Sequence, residues 1–365
     1  MVIAGAAICA ISWDPWLFVG ARLLQGAGGG AVLACGLAIL AHAYPPGPPR
    51  VHATGVWGAC LGAGVAGGSV LAVALDIGTQ WRENYVVVVV GLFVLIPTVR
   101  TITESRADEP RRLDIPGLLL LVTAMTLLLV ALTQTRSGVS PTLAVVAALA
   151  VVALVAFGLV ERRVEQPLIN PELLGHPLFL ATIVGALVVG MGMIGMASYL
   201  PTVAQEGFGD TLRVASLPPL MWAVASMLSA LAVKRLPFTM DGPRSIAVLL
   251  VLTAAGMATA VGADSTWRLI LPMTLAGITT GLLNANLARG AVAGVPRDQA
   301  AMASGANSTA RYLGAAIGIT LFAVIASNTG ADLAEGWDNA VLTAGALMVL
   351  GAVAIAARPR RSTRT

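Results

Sequence analysis

Apolar runs long enough to cross a bilayer restrict the possible folds of this chain more than any other feature. A transmembrane helix needs about 20 consecutive, predominantly apolar residues to span roughly 30 Å of hydrocarbon. Eleven runs meet or approach that length, at 16–43, 53–75, 84–100, 115–134, 141–160, 178–201, 214–233, 245–262, 268–290, 304–327 and 338–357. A twelfth, 1–12, is too short and has no basic start and no clear small-residue cleavage site, so it reads as the second half of a helix and not as a signal peptide. Backbone groups in hydrocarbon must be satisfied within the segment, which makes each run a helix. Only 11% of the residues are charged and 57% are hydrophobic, against about 25% charged in a globular domain. The expected fold class is therefore an all-α membrane protein.

The basic residues sort by loop. One set of alternate loops, with the C-terminal tail, holds Arg50, Arg100, Arg106, Arg111, Arg112, Arg162, Arg163, Lys234, Arg235, Arg244, Arg289, Arg297, Arg358, Arg360, Arg361 and Arg364. The other set holds Arg82, Arg136, Arg213 and Arg268. By the positive-inside rule both termini are expected in the cytoplasm. Trp13, Trp16, Trp81, Trp267 and Trp337 fall near the opposite boundary, as an interfacial aromatic belt would. Lys234 is the only lysine, and with the Ala, Gly and Val excess this points to a GC-rich bacterium and its plasma membrane.

Several function classes lack their signatures. The formal charge of +4 is dispersed over short loops, so nucleic acid is not expected as a partner. Cys9, Cys35 and Cys60 are odd in number and lie in apolar runs, where they read as small packing residues and not as a disulfide framework. His42, His52 and His176 lie at boundaries without metal-ligand spacing, and no nucleophile–base pair or paired carboxylates are visible. Neither an enzyme nor a metal or cofactor is expected.

Three constellations are candidates for function. Arg22 and Gln25 lie about one turn apart inside an apolar run, and the neighbouring Gly26 removes a side chain from the same turns. A guanidinium in a bilayer costs roughly 2.5–3.5 kcal/mol even on insertion scales, so Arg22 must face a polar interior, as part of a transport path or as a structural clamp. The segment GVWGACLGAGVAGG (55–68) places Gly58, Gly62, Gly64, Gly67 and Gly68 at repeated small-residue spacing, which predicts close helix packing that bulk at Gly64 or Gly67 would block. In NSTARYLGAAIG (307–318), Asn307 and Arg311 share a face. Arg311 suits an interfacial anchor whose stem snorkels to the cytoplasmic side, the favoured reading, or a place in the path with Asn307 and Asn284. Asn284 and Asn286 also suit interhelical glue. A faint similarity between 52–67 and 302–318 suggests parallel internal repeats.

These residues resemble the major facilitator superfamily, and within it the fourteen-helix drug:proton antiporter branch. Arg22, Gln25 and Gly26 resemble that branch's arginine motif of the fourth helix, residues 55–68 its glycine-rich antiporter motif of the fifth, and Trp81-Arg82 the pair before its sixth. RRLDIPG (111–117) and ERRVEQPLINPELL (161–174) resemble connectors peculiar to the branch. The resemblance implies a bundle of about 12 spans: an incomplete N-terminal half (1–101, about four helices), a linker pair (102–176) and a six-helix C-terminal half with a short basic tail (177–365). The family's first two helices and the basic loop after them have no counterpart, and its glycine-proline pair in the fifth helix is Ala63-Gly64 here.

The implied function is secondary active transport by alternating access, namely proton-coupled export of small amphipathic compounds or drugs of the kind that confers multidrug resistance. The implied partners are a small-molecule substrate, protons and the lipid bilayer. Asp76 and Glu206 read as solvated boundary carboxylates, and the resemblance gives Arg22 an accessory role in tuning a carboxylate. A truncated or partner-dependent membrane protein that does not itself transport stays open as the alternative. Substrate identity and oligomeric state are not legible.

Overall fold

The computed structural model describes residues 1–45, 47–75, 81–100, 114–134, 140–164, 173, 175–235, 242–293, 295–296, 299–328 and 333–357, without the side chains of 234, 327, 328 and 334. Twelve helices and no strands occur among these residues. They are α1 (Val2–Ile11), α2 (Pro15–Ala43), α3 (Pro48–Ala74), α4 (Arg82–Val99), α5 (Ile115–Gln134) and α6 (Pro141–Glu161). They continue with α7 (Pro177–Gly207), α8 (Leu212–Ala232), α9 (Pro243–Ala258), α10 (Thr266–Val292), α11 (Ala300–Asn328) and α12 (Leu333–Ala356). Among the described residues, ten are long and apolar enough to cross a membrane, and α1 and α9 are the shorter two.

Helix starts follow local chemistry. Proline stands in the first turn of α2, α3, α6, α7 and α9, where the missing N–H costs nothing. Asp14 caps α2 by accepting from the backbone N–H groups of Trp16 and Leu17 at 2.9 and 3.0 Å, and Ser140 caps α6 through Leu143 at 3.2 Å. α9 ends four residues before its apolar run does. There Gly262, at φ +76, donates its N–H to the Asp338 carboxylate at 2.9 Å, so the chain turns where hydropathy alone continues the helix.

The main hydrophobic core lies in the second half of the chain, among α7–α12, with Trp337, Phe322, Met193, Met196 and Leu250 fully enclosed. Close backbone approach makes it. A side chain at Gly314 or Gly318 of α11 would run into the Leu187 and Met191 carbonyls of α7, and one at Gly281 of α10 into the Ser226 carbonyl of α8. α7 widens into π-helix at Gly190–Ile194 and Val203–Gly207, the first of these against the Arg311 backbone. In the first half α1 packs on α2 and α4, and α4 itself has no buried residue. α5 and α6 pack mainly on each other.

The two halves meet through α3 against α8 and α10, and α2 against α11. A Cβ at Gly62 would lie 2.9 Å from the Ala223 carbonyl oxygen, one at Gly55 3.0 Å from that of Ala230, and one at Gly58 3.4 Å from the Ala285 nitrogen. Leu37 and Ala41 of α2 join Ala288, Ala291, Val292 and Ala300 in a second apolar cluster. These contacts lie toward the end of the bundle that carries Arg50, Arg235, Arg244 and Arg289. The glycine expectation needs correction for Gly26, Gly64, Gly67 and Gly68, because no neighbouring atom lies within 4 Å of a Cβ at any of them. Gly64, Gly67 and Gly68 turn away from α8 and α10, which meet the face of α3 that Gly55, Gly58 and Gly62 occupy at 3–4 residue spacing, and Gly26 is exposed on α2.

Candidate functional site: a cavity between the two halves

Between the halves, from the level of Trp57 and Ala288 to that of Ser69 and Pro201, lies a cavity of about 370 Å³. α2 and α3 supply an apolar wall of Leu33, Leu37, Trp57, Leu61 and Val65, with Ser69 beyond it. α7, α8, α10 and α11 supply the polar wall, including Ser198, Trp222, Ser226, Thr280, Asn284, Ser304, Asn307, Ser308, Arg311 and Tyr312. A mostly apolar lining with a few placed polar groups is the usual composition of a small-molecule site.

Arg311 dominates the polar wall. Its side chain is 8% exposed, and its Nη1 donates to Asn284 Oδ1 at 2.7 Å. The snorkelling anchor is therefore corrected. α7 and α11 approach so closely along Gly190, Gly314 and Gly318 that Arg311 is enclosed beside the cavity, and its charge is met by the side chain of Asn284 on α10. Asn307, one turn earlier, is 4% exposed, and its Oδ1 has no hydrogen-bond partner. Trp222, at 8% exposure, leaves Nε1 without an acceptor. Asn286 lies outside the lining and donates to Ser245 Oγ at 2.7 Å, which ties α10 to α9.

The first constellation stands elsewhere. Arg22 and Gln25 are hydrogen bonded at 2.6 Å, Arg22 Nη1 donating, and the guanidinium lies 6.0 Å from the Tyr85 ring centroid of α4. Arg22 is exposed, and neither residue lines the cavity. Gly26 is likewise exposed on α2. Glu206 is exposed at the end of α7, whereas Asp76, Arg106, Arg111, Arg112, Arg136, Arg297 and the tail arginines lie outside the described residues, as does most of 161–174.

Sequence reasoning passed over Trp57, Trp222, Ser226 and Thr280. One signal was available for two of them. Five of the seven tryptophans lie near the boundaries expected from the apolar runs, although Trp337 is enclosed in the core, whereas Trp57 and Trp222 lie inside apolar runs, where an indole N–H needs a partner or a cavity.

A family model for the Major Facilitator Superfamily matches residues 1–319. The chain belongs to this superfamily. It is a multi-pass membrane protein by that membership and by its ten membrane-length helices. Among curated relatives it is similar to the probable actinorhodin transporter of Streptomyces coelicolor, 28% identical over 92% of this chain and 62% of that protein. It is also similar to the puromycin resistance protein of Streptomyces alboniger (31% identical, 88% of this chain and 66% of that one). The tetracenomycin C resistance and export protein of Streptomyces glaucescens is 28% identical over 88% of this chain and 61% of that protein. The chain thus spans just under two thirds of the length of these three relatives. The crystal structure of the human organic anion transporter MFSD10 superposes with a TM-score of 0.66 over 97% of this chain and 74% of that one, at 16% identity, a likeness that shows the major facilitator fold alone.

Proposed function

We propose that this protein exports small amphipathic molecules across a bacterial plasma membrane by alternating access, without converting them chemically. The observation that carries the reading is the cavity between the halves, apolar on the α2–α3 wall and polar on the α7–α11 wall, in a superfamily member whose similar proteins are named for antibiotic export and resistance. Residues 1–101 and 177–365 act as the two rocking halves, with 102–176 as their linker. The end rich in Arg50, Arg235, Arg244 and Arg289 faces the cytoplasm, with both termini directed toward it, and the cavity extends from the level of Trp57 and Ala288 toward the outer side.

Coupling to protons is part of the proposal, although among the described residues no Asp or Glu lines the cavity. Asn284, Asn307 and Arg311 form its polar contact with substrate, and Arg22 with Gln25 acts as an accessory polar site in the first half.

The test is dye movement in respiring everted vesicles that contain the chain, using a cationic, a neutral and an anionic fluorescent dye. Uptake of at least one dye is expected, abolished by a protonophore and by Ser226→Trp, which fills the cavity. Arg22→Ala is expected to abolish uptake at unchanged membrane abundance. Loss of no activity in Ser226→Trp would remove the cavity from the path, and normal uptake by Arg22→Ala would remove Arg22.

A further inference from the structure

Arg311 is a permanent cation in a place that gives it no anion. Its guanidinium offers five N–H donors in a planar fork and cannot deprotonate in a protein. One neutral amide oxygen, Asn284 Oδ1, accepts from it at 2.7 Å. Among the described residues no carboxylate lies within ion-pair distance of it, and the residues lining the cavity beside it include no Asp or Glu. Burial of such a charge is unfavourable until an opposite charge arrives, and the low polarity around it strengthens whatever anion does. Two further residues of the same cavity hold unspent hydrogen-bonding capacity: Trp222 leaves its Nε1 donor unpaired, and Asn307 its Oδ1 acceptor. Both are more than nine-tenths buried. The facing wall, Leu33, Leu37 and Leu61, suits an apolar body.

We infer that this cavity selects molecules with an apolar body and one anionic oxygen group, a carboxylate or an ionised phenol, that binds the free edge of the Arg311 guanidinium. The inference rests on the export reading for its biological meaning but concerns binding alone. The planar fork favours a two-oxygen carboxylate, which accepts from two N–H groups at once. The indole N–H of Trp222 supplies a neutral donor to the same polar end, and Asn307 Oδ1 accepts from a hydroxyl carried on the body. A cation of equal size would meet Arg311 as a like charge and is excluded.

The experiment compares three ligands that share one body. Naphthalene-2-carboxylate, its neutral primary amide and naphthalen-2-ylmethylammonium are titrated into the purified chain in lipid nanodiscs, with quenching of the cavity tryptophans as the readout. The carboxylate is expected to bind at least tenfold more tightly than the amide, and the ammonium not at all. Arg311→Gln should erase the tenfold preference, bringing carboxylate affinity down to that of the amide, while Arg311→Lys, which keeps the charge, should retain part of it. Equal binding of carboxylate and amide to the unaltered chain, or a preference that survives Arg311→Gln, overturns the inference. In those cases binding sensitive to Ser226→Trp would leave the cavity reading intact. Failure of all three ligands to bind overturns both. The comparison on the unaltered chain decides the matter even if the Arg311→Gln chain does not fold.

Discussion

Replacing Gly62 by alanine measures how closely the two halves must approach. A Cβ there would lie 2.9 Å from both the Ala223 oxygen and the Met227 nitrogen, and 3.1 Å from Met227 Cα. All three are backbone atoms of α8, so no rotamer change relieves the contact. Ordinary Cβ contacts begin at 3.4 Å, which requires α3 and α8 to part by 3.4 − 2.9 = 0.5 Å. Overpacking of this kind costs about 1–3 kcal/mol. The cost falls only on the arrangement in which the Gly62 contact is made, so the ratio of parted to joined halves should rise by about 5- to 150-fold.

The assay is the distance distribution between spin labels at positions 52 and 235, exposed residues near the start of α3 and just after α8 at the basic end, with Cys35 and Cys60 replaced by alanine. Gly64→Ala, where nothing lies within 4 Å, is the control. An unchanged distribution in Gly62→Ala, or the same shift in both variants, would refute the reasoning.

Two further predictions concern the second half. Gly318→Ala directs a methyl group into the Met191 carbonyl, where the π-turn of α7 meets α11, and should lower stability by about 1–3 kcal/mol; a melting temperature in detergent equal to that of the unaltered chain would contradict it. Arg311→Met removes a buried charge that has no anionic partner among the described residues, at the loss of its hydrogen bond to Asn284, so stability should hold or rise by about 1–4 kcal/mol while the carboxylate ligand is lost. A clear fall in the melting temperature would make Arg311 a structural clamp instead.

Sequence alone determined that the chain is a bundle of apolar helices and where most of them lie, because the cost of placing polar groups in hydrocarbon depends on each residue whatever its neighbours. The runs 16–43 and 115–134 correspond to Pro15–Ala43 and Ile115–Gln134 within a residue. It also marked Asn284, Asn307 and Arg311 as polar groups that an apolar segment does not carry without a reason.

Tertiary structure decided which faces meet. Gly58 and Gly62 oppose α10 and α8 whereas Gly64 and Gly67 face open space, although all four share the same small-residue spacing. A helix offers several such stripes, and the neighbour's position selects one. Arg311 shows the same division. Its depth along the helix suits a snorkelling anchor, but a residue can snorkel only if its side faces lipid or water, and the glycine contacts between α7 and α11 turn this one into the cavity beside Asn284.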